Sequence, residues 1–222
     1  MNKNKTQKVV ILFSILLLPS LVYLFFNTGV NNFKTLPIIG PKILEEGSTT
    51  DTIYHTIPPF EFINQNNELV SSEFYKGKIY VADFFFATCP TICPKMAVHM
   101  RELQKHFYDV KDFKLLSITV NPEHDTPEVL NDYAKQVHAM DSVWNFLSGD
   151  KDKIYQLAYE GFLANAGQDD LAPGGYLHSS NLYLIDTKGR IRGIFDGTST
   201  TETNNLKDAI KILSKEEFVT LK

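Results

Sequence analysis

The pattern of apolar and polar positions divides the chain into three stretches. The first is a run from Val9 to Phe26 without a charge, preceded by Lys3, Lys5 and Lys8. Eighteen helical residues rise ~27 Å, close to the ~30 Å hydrocarbon core of a bilayer. Ser14, Pro19 and Ser20 weaken the run but do not charge it. It ends in Tyr23-Leu24-Phe25-Phe26-Asn27 with no small-residue cleavage pattern, so an uncleaved anchor is expected rather than a removed signal. The lysines put the tip in the cytoplasm and everything after the span outside. This predicts a single-pass inner-membrane protein with its globular part on the periplasmic side. Residues 1–27 are read as tip and transmembrane helix, 28–57 as a linker with Pro37, Gly40, Pro41 and a Gly-Ser-Thr-Thr stretch, and 58–222 as one folded domain.

Within the domain, short apolar runs alternate with helical periodicities. Phe60 to Ile63 and Leu69-Val70 flank a polar Asn-Gln-Asn-Asn turn, which predicts a hairpin. Ile79 to Phe86 is almost wholly apolar and β-rich, as a strand buried on both faces should be. A helix is expected from Pro94 to Tyr108, with Met96, Met100, Leu103 and Phe107 on one face. Strand Phe113–Val120 follows. Thr126-Pro127-Glu128 then starts a helix that runs to about His138, with Thr as cap and Pro at the first helical position. A strand at Val143–Leu147 and a helix capped by Asp150 come next. Gly161 to Leu177 is too long for an ordinary connection, which points to function. Ser180–Ile185 and Ile191–Phe195 form a second hairpin, and a helix from Thr203 to Leu213 closes the pattern. This order predicts an α/β fold: a central mixed sheet flanked by helices.

Hydrophobic residues make up 43% of the chain, enough for one core without a structural metal. The net charge of −4, with both signs interspersed, excludes a nucleic-acid footprint. Only two cysteines are present, Cys89 and Cys93, so the thiols serve a local purpose rather than stapling the fold. They follow a buried strand and precede a helix, which places the domain in the thioredoxin-like class. A helix N-terminus offers unpaired amides and a positive dipole end, so both thiols are expected to be more acidic than usual. Three residues separate them where redox thioredoxins have two. That wider bite suits two ligands to one soft metal ion and still allows a disulfide. Imidazole is the natural third ligand for copper. Of His55, His99, His106, His124, His138 and His178, two remain open from spacing: His124, in a loop after a strand, and His178, between the long Gly/Pro-rich segment and a strand.

Three segments carry a resemblance to a known family. They are Phe84-Phe85-Phe86-Ala87-Thr88-Cys89-Pro90-Thr91-Ile92-Cys93-Pro94, then Ser117 to Glu128 (SITVNPEHDTPE), then His178 to Asp186 (HSSNLYLID) followed by Gly189-Arg190. In that order they resemble the Sco/SenC family of copper-binding assembly factors of cytochrome c oxidase. The resemblance implies that Cys89, Cys93 and His178 are ligands of a copper ion, Cu(I) or Cu(II). It implies a thioredoxin-like fold with one membrane anchor, and as partner the oxidase subunit that holds the two-copper centre, or another copper carrier. The chain departs from the family at Thr91, Lys95 and Met96, where acids are frequent, at Asn121 for a frequent Asp and at His124 for a frequent Arg. None is a ligand position.

Met96 and Met100 are soft donors but share the core stripe with Leu103. Asp83, six residues before Cys89, is a candidate buried acid that tunes the thiols. Asp169-Asp170 precedes His178 in the long segment. The leading expectation is a metallochaperone, a binding protein rather than an enzyme. The alternative is a membrane-tethered thiol-disulfide oxidoreductase acting through Cys89 and Cys93. A peroxidase is disfavoured, because Arg101, Arg190 and Arg192 are the only arginines and none is placed to serve one.

Overall fold

The apolar run at Ile79 becomes the middle of a seven-stranded mixed sheet. The computed structural model describes residues 3–27, 35–44, 52–110, 112–164, 167–168, 176–177 and 179–218. In chain order the elements are α1 (Lys3–Asn27), β1 (Lys42–Leu44), β2 (Thr52–Tyr54), β3 (Glu61–Asn64), β4 (Leu69–Ser71), β5 (Ile79–Phe85), α2 (Cys93–Phe107), β6 (Phe113–Thr119) and α3 (Pro127–Gln136). They continue as β7 (Trp144–Ser148), α4 (Lys151–Gln156), β8 (Gly167–Gln168), β9 (Tyr176–Leu177), β10 (Asn181–Ile185), β11 (Ile191–Asp196) and α5 (Thr200–Phe218). A π-turn, Leu157–Gly161, extends α4.

The sheet order is β11-β10-β5-β6-β7-β3-β4. β5, β6 and β7 are parallel, and the strands outside them pair antiparallel. Every residue of β5 is buried, and its alternating side chains pack to opposite faces. Phe84 meets Phe162 and Tyr183, whereas Phe85 meets Tyr133 of α3 and Phe146 of β7. This is the flanked mixed sheet expected from the sequence. Parallel β5 and β6 run in register from Ile79↔Phe113 to Phe85↔Thr119, so their C-terminal ends, and the loops after them, share one edge.

The caps at Thr126 and Asp150 are formed: each side chain accepts from the backbone three residues on, Val129 at 3.4 Å and Lys153 at 2.9 Å. The stretch expected to be a linker up to Ile57 is different. From Thr35 it belongs to the compact unit of the domain. Ile39 N–H donates to Ile191 O and Ile57 N–H to Gly189 O, each at 2.8 Å, and β1 pairs with β2. The guanidinium of Arg192, 2% exposed, donates to the carbonyls of Leu36 (2.7 Å) and Pro37 (3.1 Å). It also pairs with Asp186 and Glu216.

Met1–Lys34 forms a separate unit. Its helix α1 contains Pro19, and Ser20 Oγ donates to Leu16 O at 2.9 Å. Ile11, Leu12, Phe13, Ile15, Leu16, Leu18, Leu21 and Tyr23 are all more than half exposed. The expected span also takes in side chains outside the described residues, Val9, Val10, Val22 and residues 24–26. Among the described residues no helix is long and apolar enough to cross a membrane. The helix expected there is present; its transmembrane character is not supported by the structure.

Candidate metal centre

The chain leaves β5 at its buried C-terminal end, turns through Ala87-Thr88, and reaches Cys89, whose N–H donates to Phe86 O at 3.1 Å. Cys93 opens α2, with Pro94 in the first turn and no side chain capping the helix start. The helix therefore begins one residue earlier than its sequence suggests, and both cysteines lie at its N-terminal end. Cys89 and Cys93 are 6% and 2% exposed, belong to the core, and are not joined in a disulfide. Thr91 Oγ1 lies 3.8 Å from Cys89 Sγ. A cleft of about 260 Å³ opens onto the pair, lined by Ala87, Cys89, Cys93, Pro94, Ala97, Val98, Arg101, Tyr133, Gln136 and Val137.

The expectation of two acidic thiols fails for Cys93, which is held well above the usual thiol range. The main cause is a hydrogen bond with Cys89, and burial adds to it. A backbone hydrogen bond from Phe86 pulls the other way, and the negative charges of Cys89 and Asp83 oppose a second thiolate. The helix dipole is outweighed by these neighbours. Tyr133 faces the same group, and its phenol is likewise raised by burial and then by the charges of Cys93, Asp83, Cys89 and Asp125.

Beneath the cysteines runs a buried relay. Trp144 Nε1–H donates to Ser117 Oγ at 2.9 Å, and Ser117 donates to Asp83 Oδ1 at 2.5 Å. Asp83 is thus a buried acid whose charge acts on Cys93, as its place in the sequence suggested. Beside them, Asp125 is fully buried and joins the β6–α3 loop to the cysteine loop. Its carboxylate accepts from Ala87 N–H at 3.0 Å, from the Thr119 hydroxyl, and from His124 Nδ1–H at 2.8 Å. Asp125, Thr119, Ser117 and Tyr133 were not singled out from sequence. The only local signal nearby was the helix start at Thr126-Pro127-Glu128.

His178 and Asp169-Asp170 lie outside the described residues. Among the described residues around them, β8 and β9 pair antiparallel, Gly167 with Leu177 and Gln168 with Tyr176. His124 is exposed and bonded to Asp125. His106 stacks edge-on against Phe107, His138 is exposed with φ 58°, and His55 donates to Gly161 O at 2.7 Å. His99 is buried and donates to Gly197 O. Met96 and Met100 are core residues, 1% and 0% exposed. Among the described residues no group of three or more His, Cys, Asp or Glu side chains is arranged to hold a metal ion. The donors that are described fit copper in kind: two adjacent soft sulfurs, with the nearby carboxylates committed to Ser117, Ala87 and Thr119.

Comparison with known proteins points the same way. Residues 48–213 match the SCO1/SenC family. The chain is 32% identical to the SCO1 protein homolog of Bacillus subtilis over 170 residues, covering 74% of this chain and 86% of that one. Among solved structures, a SCO1/SenC family lipoprotein of Bacillus anthracis aligns with TM-score 0.66 at 30% identity, over 72% of this chain and 95% of the other. BsSco, described as having a disulfide switch and as a member of the Sco family of cytochrome c oxidase assembly proteins, aligns at 0.64 and 31%, over 72% and 94%. ScoI of Bradyrhizobium japonicum, solved with copper bound, aligns at 0.58 and 26%, over 71% and 97%.

Proposed function

This chain belongs to the SCO1/SenC family, and from that membership we propose that it binds one copper ion through Cys89, Cys93 and His178 and delivers it to the oxidase subunit that holds the two-copper centre. The observation that carries the reading is the thiol pair: two buried, reduced sulfurs in hydrogen-bond contact at a strand–helix turn, open to a cleft. Thiolate and imidazole donors together suit copper in either oxidation state. The ion is cargo here, so the chain's own task is to hold both sulfurs at one spacing and to expose them to a recipient. A copper carrier upstream is a second partner of the same kind.

The membrane placement is part of the proposal. The uncharged run from Val9 to Phe26 and the apolar side chains around α1 suit a lipid environment better than water. Lysines on the tip orient it with the domain on the periplasmic side of the inner membrane.

The contact between the two sulfurs also favours a second reading, a thiol-disulfide reductase. There, a Cys89 thiolate attacks a partner disulfide and forms a mixed disulfide, releasing one partner thiolate. Cys93 then gives up its proton, attacks Cys89 Sγ and releases the second. The pair is oxidised by two electrons, and the partner takes up those electrons, the Cys93 proton and one proton from solvent.

The test uses the full chain, reduced and copper-loaded in detergent. Elemental analysis should find one copper per chain, lost in Cys89→Ser and weakened in His178→Ala. Equal retention in Cys89→Ser would sink the copper reading. His178→Ala separates the two roles in cells lacking the wild-type protein. A chaperone loses copper and oxidase activity together, whereas full oxidase rescue without copper binding favours the reductase.

A further inference from the structure

His99 lies on α2, six residues after Cys93, and is 8% exposed. A buried imidazole needs partners, and this one has them on a distant part of the chain. Its Nδ1–H donates to the Gly197 carbonyl at 2.7 Å, and its Nε2 lies 3.4 Å from Thr200 Oγ1. Gly197 immediately follows β11, and its own N–H donates to Ser180 O at 2.6 Å. Ser180 is the residue before β10 and the second after His178 in sequence. A Cβ on Gly197 would lie 2.9 Å from the Ser180 carbonyl oxygen and 2.9 Å from Leu182 Cγ, so these two backbones meet with no room for a side chain. The Ser180 side chain also bonds Asp196, which in turn accepts from Thr198 N–H and Oγ1–H at 2.9 and 2.7 Å.

These contacts form one line from the cysteine helix to the backbone at the start of β10. We propose that His99 is a positioning residue of the copper site: it fixes α2, and so Cys93, against the Ser180–Gly197 backbone. The proposal rests on the copper reading above. An apolar residue of equal size would fill the same volume but leave the Gly197 carbonyl without its donor. Outer partners of metal ligands contribute by fixing ligand geometry, and their loss costs about 10–100-fold in affinity when they touch a ligand directly. His99 acts one step further out, so about 3- to 10-fold is expected.

The test compares His99→Phe, which keeps a ring without the donor, with His99→Asn, whose amide nitrogen occupies the place of Nδ1. The full chain in detergent is loaded with copper, and copper release to a chelator is timed. His99→Phe should release copper about 3- to 10-fold faster, and His99→Asn should return to within about twofold of wild type. Amide exchange at Gly197 gives an independent readout: faster in His99→Phe and restored in His99→Asn. Should His99→Phe not fold, His99→Gln, with its amide one bond too far, takes its place. Unchanged release in a folded His99→Phe, or failure of His99→Asn to restore it, overturns the positioning role while leaving the copper site intact. Wild-type release from His178→Ala overturns the copper reading and the positioning role with it.

Discussion

The backbone N–H of Ala87 donates to the buried carboxylate of Asp125 at 3.0 Å, across 38 positions of sequence. This one bond ties the loop that carries the cysteines to the loop after β6. Because Asp125 also takes the Thr119 hydroxyl, a single side chain satisfies two polar groups at the sheet edge.

Asp125→Ala should therefore destabilise the fold and slacken the cysteine loop together. Leaving two buried donors without an acceptor costs about 2–4 kcal/mol. Urea unfolding of the full chain measures the loss, and chelator competition should show weaker copper binding in the same variant. A change below about 0.5 kcal/mol, the usual range for a surface substitution, would contradict the clamp.

Arg192→Met removes a buried cation from Asp186, Glu216 and two carbonyls at once. Breaking one side of a buried ion pair costs about 3–5 kcal/mol; Arg190, which also pairs with Asp186, keeps the expected loss near the lower figure. Limited proteolysis should cut between Thr35 and Ile57 faster than in wild type. Unaltered cleavage and stability would mean that the segment is held by its other bonds, such as Ile39 and Ile57 to the β10–β11 hairpin and His55 to Gly161.

Met100→Leu distinguishes core from ligand. The residue is fully buried, so a volume-conserving swap should cost less than about 1.5 kcal/mol and leave copper stoichiometry and release unchanged. A severalfold faster release would restore Met100 as a donor.

For α1, the expected outcome is retention in the membrane pellet after alkaline carbonate extraction, in cells expressing the full chain. Release into the supernatant would reject the span and leave, at most, a surface attachment.

The strands, the helices and the cysteine turn are legible in the sequence because each leaves a local mark: period two, period 3.6, a cap, a buried run ending at a thiol. What was not legible is long-range. Thr35–Ile57 has no periodicity, and its attachments are backbone bonds to Ile191 and Gly189 and an arginine about 150 positions away, 155 residues from Pro37. The widened turn at Leu157–Gly161 continues a helical pattern that read simply as helix. The Cys93 proton shows the same limit. The helix dipole is visible from the motif, but the opposing influences are the Cys89 contact, burial and Asp83, which only the folded chain assembles.

The attachment at Arg192 also has a mechanical consequence. β10 runs antiparallel to β5, with Ile185 opposite Tyr80, so Asp186 and Arg192 lie toward the N-terminal end of β5 while the thiols follow its C-terminal end. The seven residues of β5 separate the two ends by roughly 20 Å. A pull on the chain at Thr35 is therefore taken up first by the guanidinium and its carbonyl and carboxylate partners, at the N-terminal end of β5. The sulfurs lie at the other end of β5, so a load entering at Thr35 meets that grip before it reaches them.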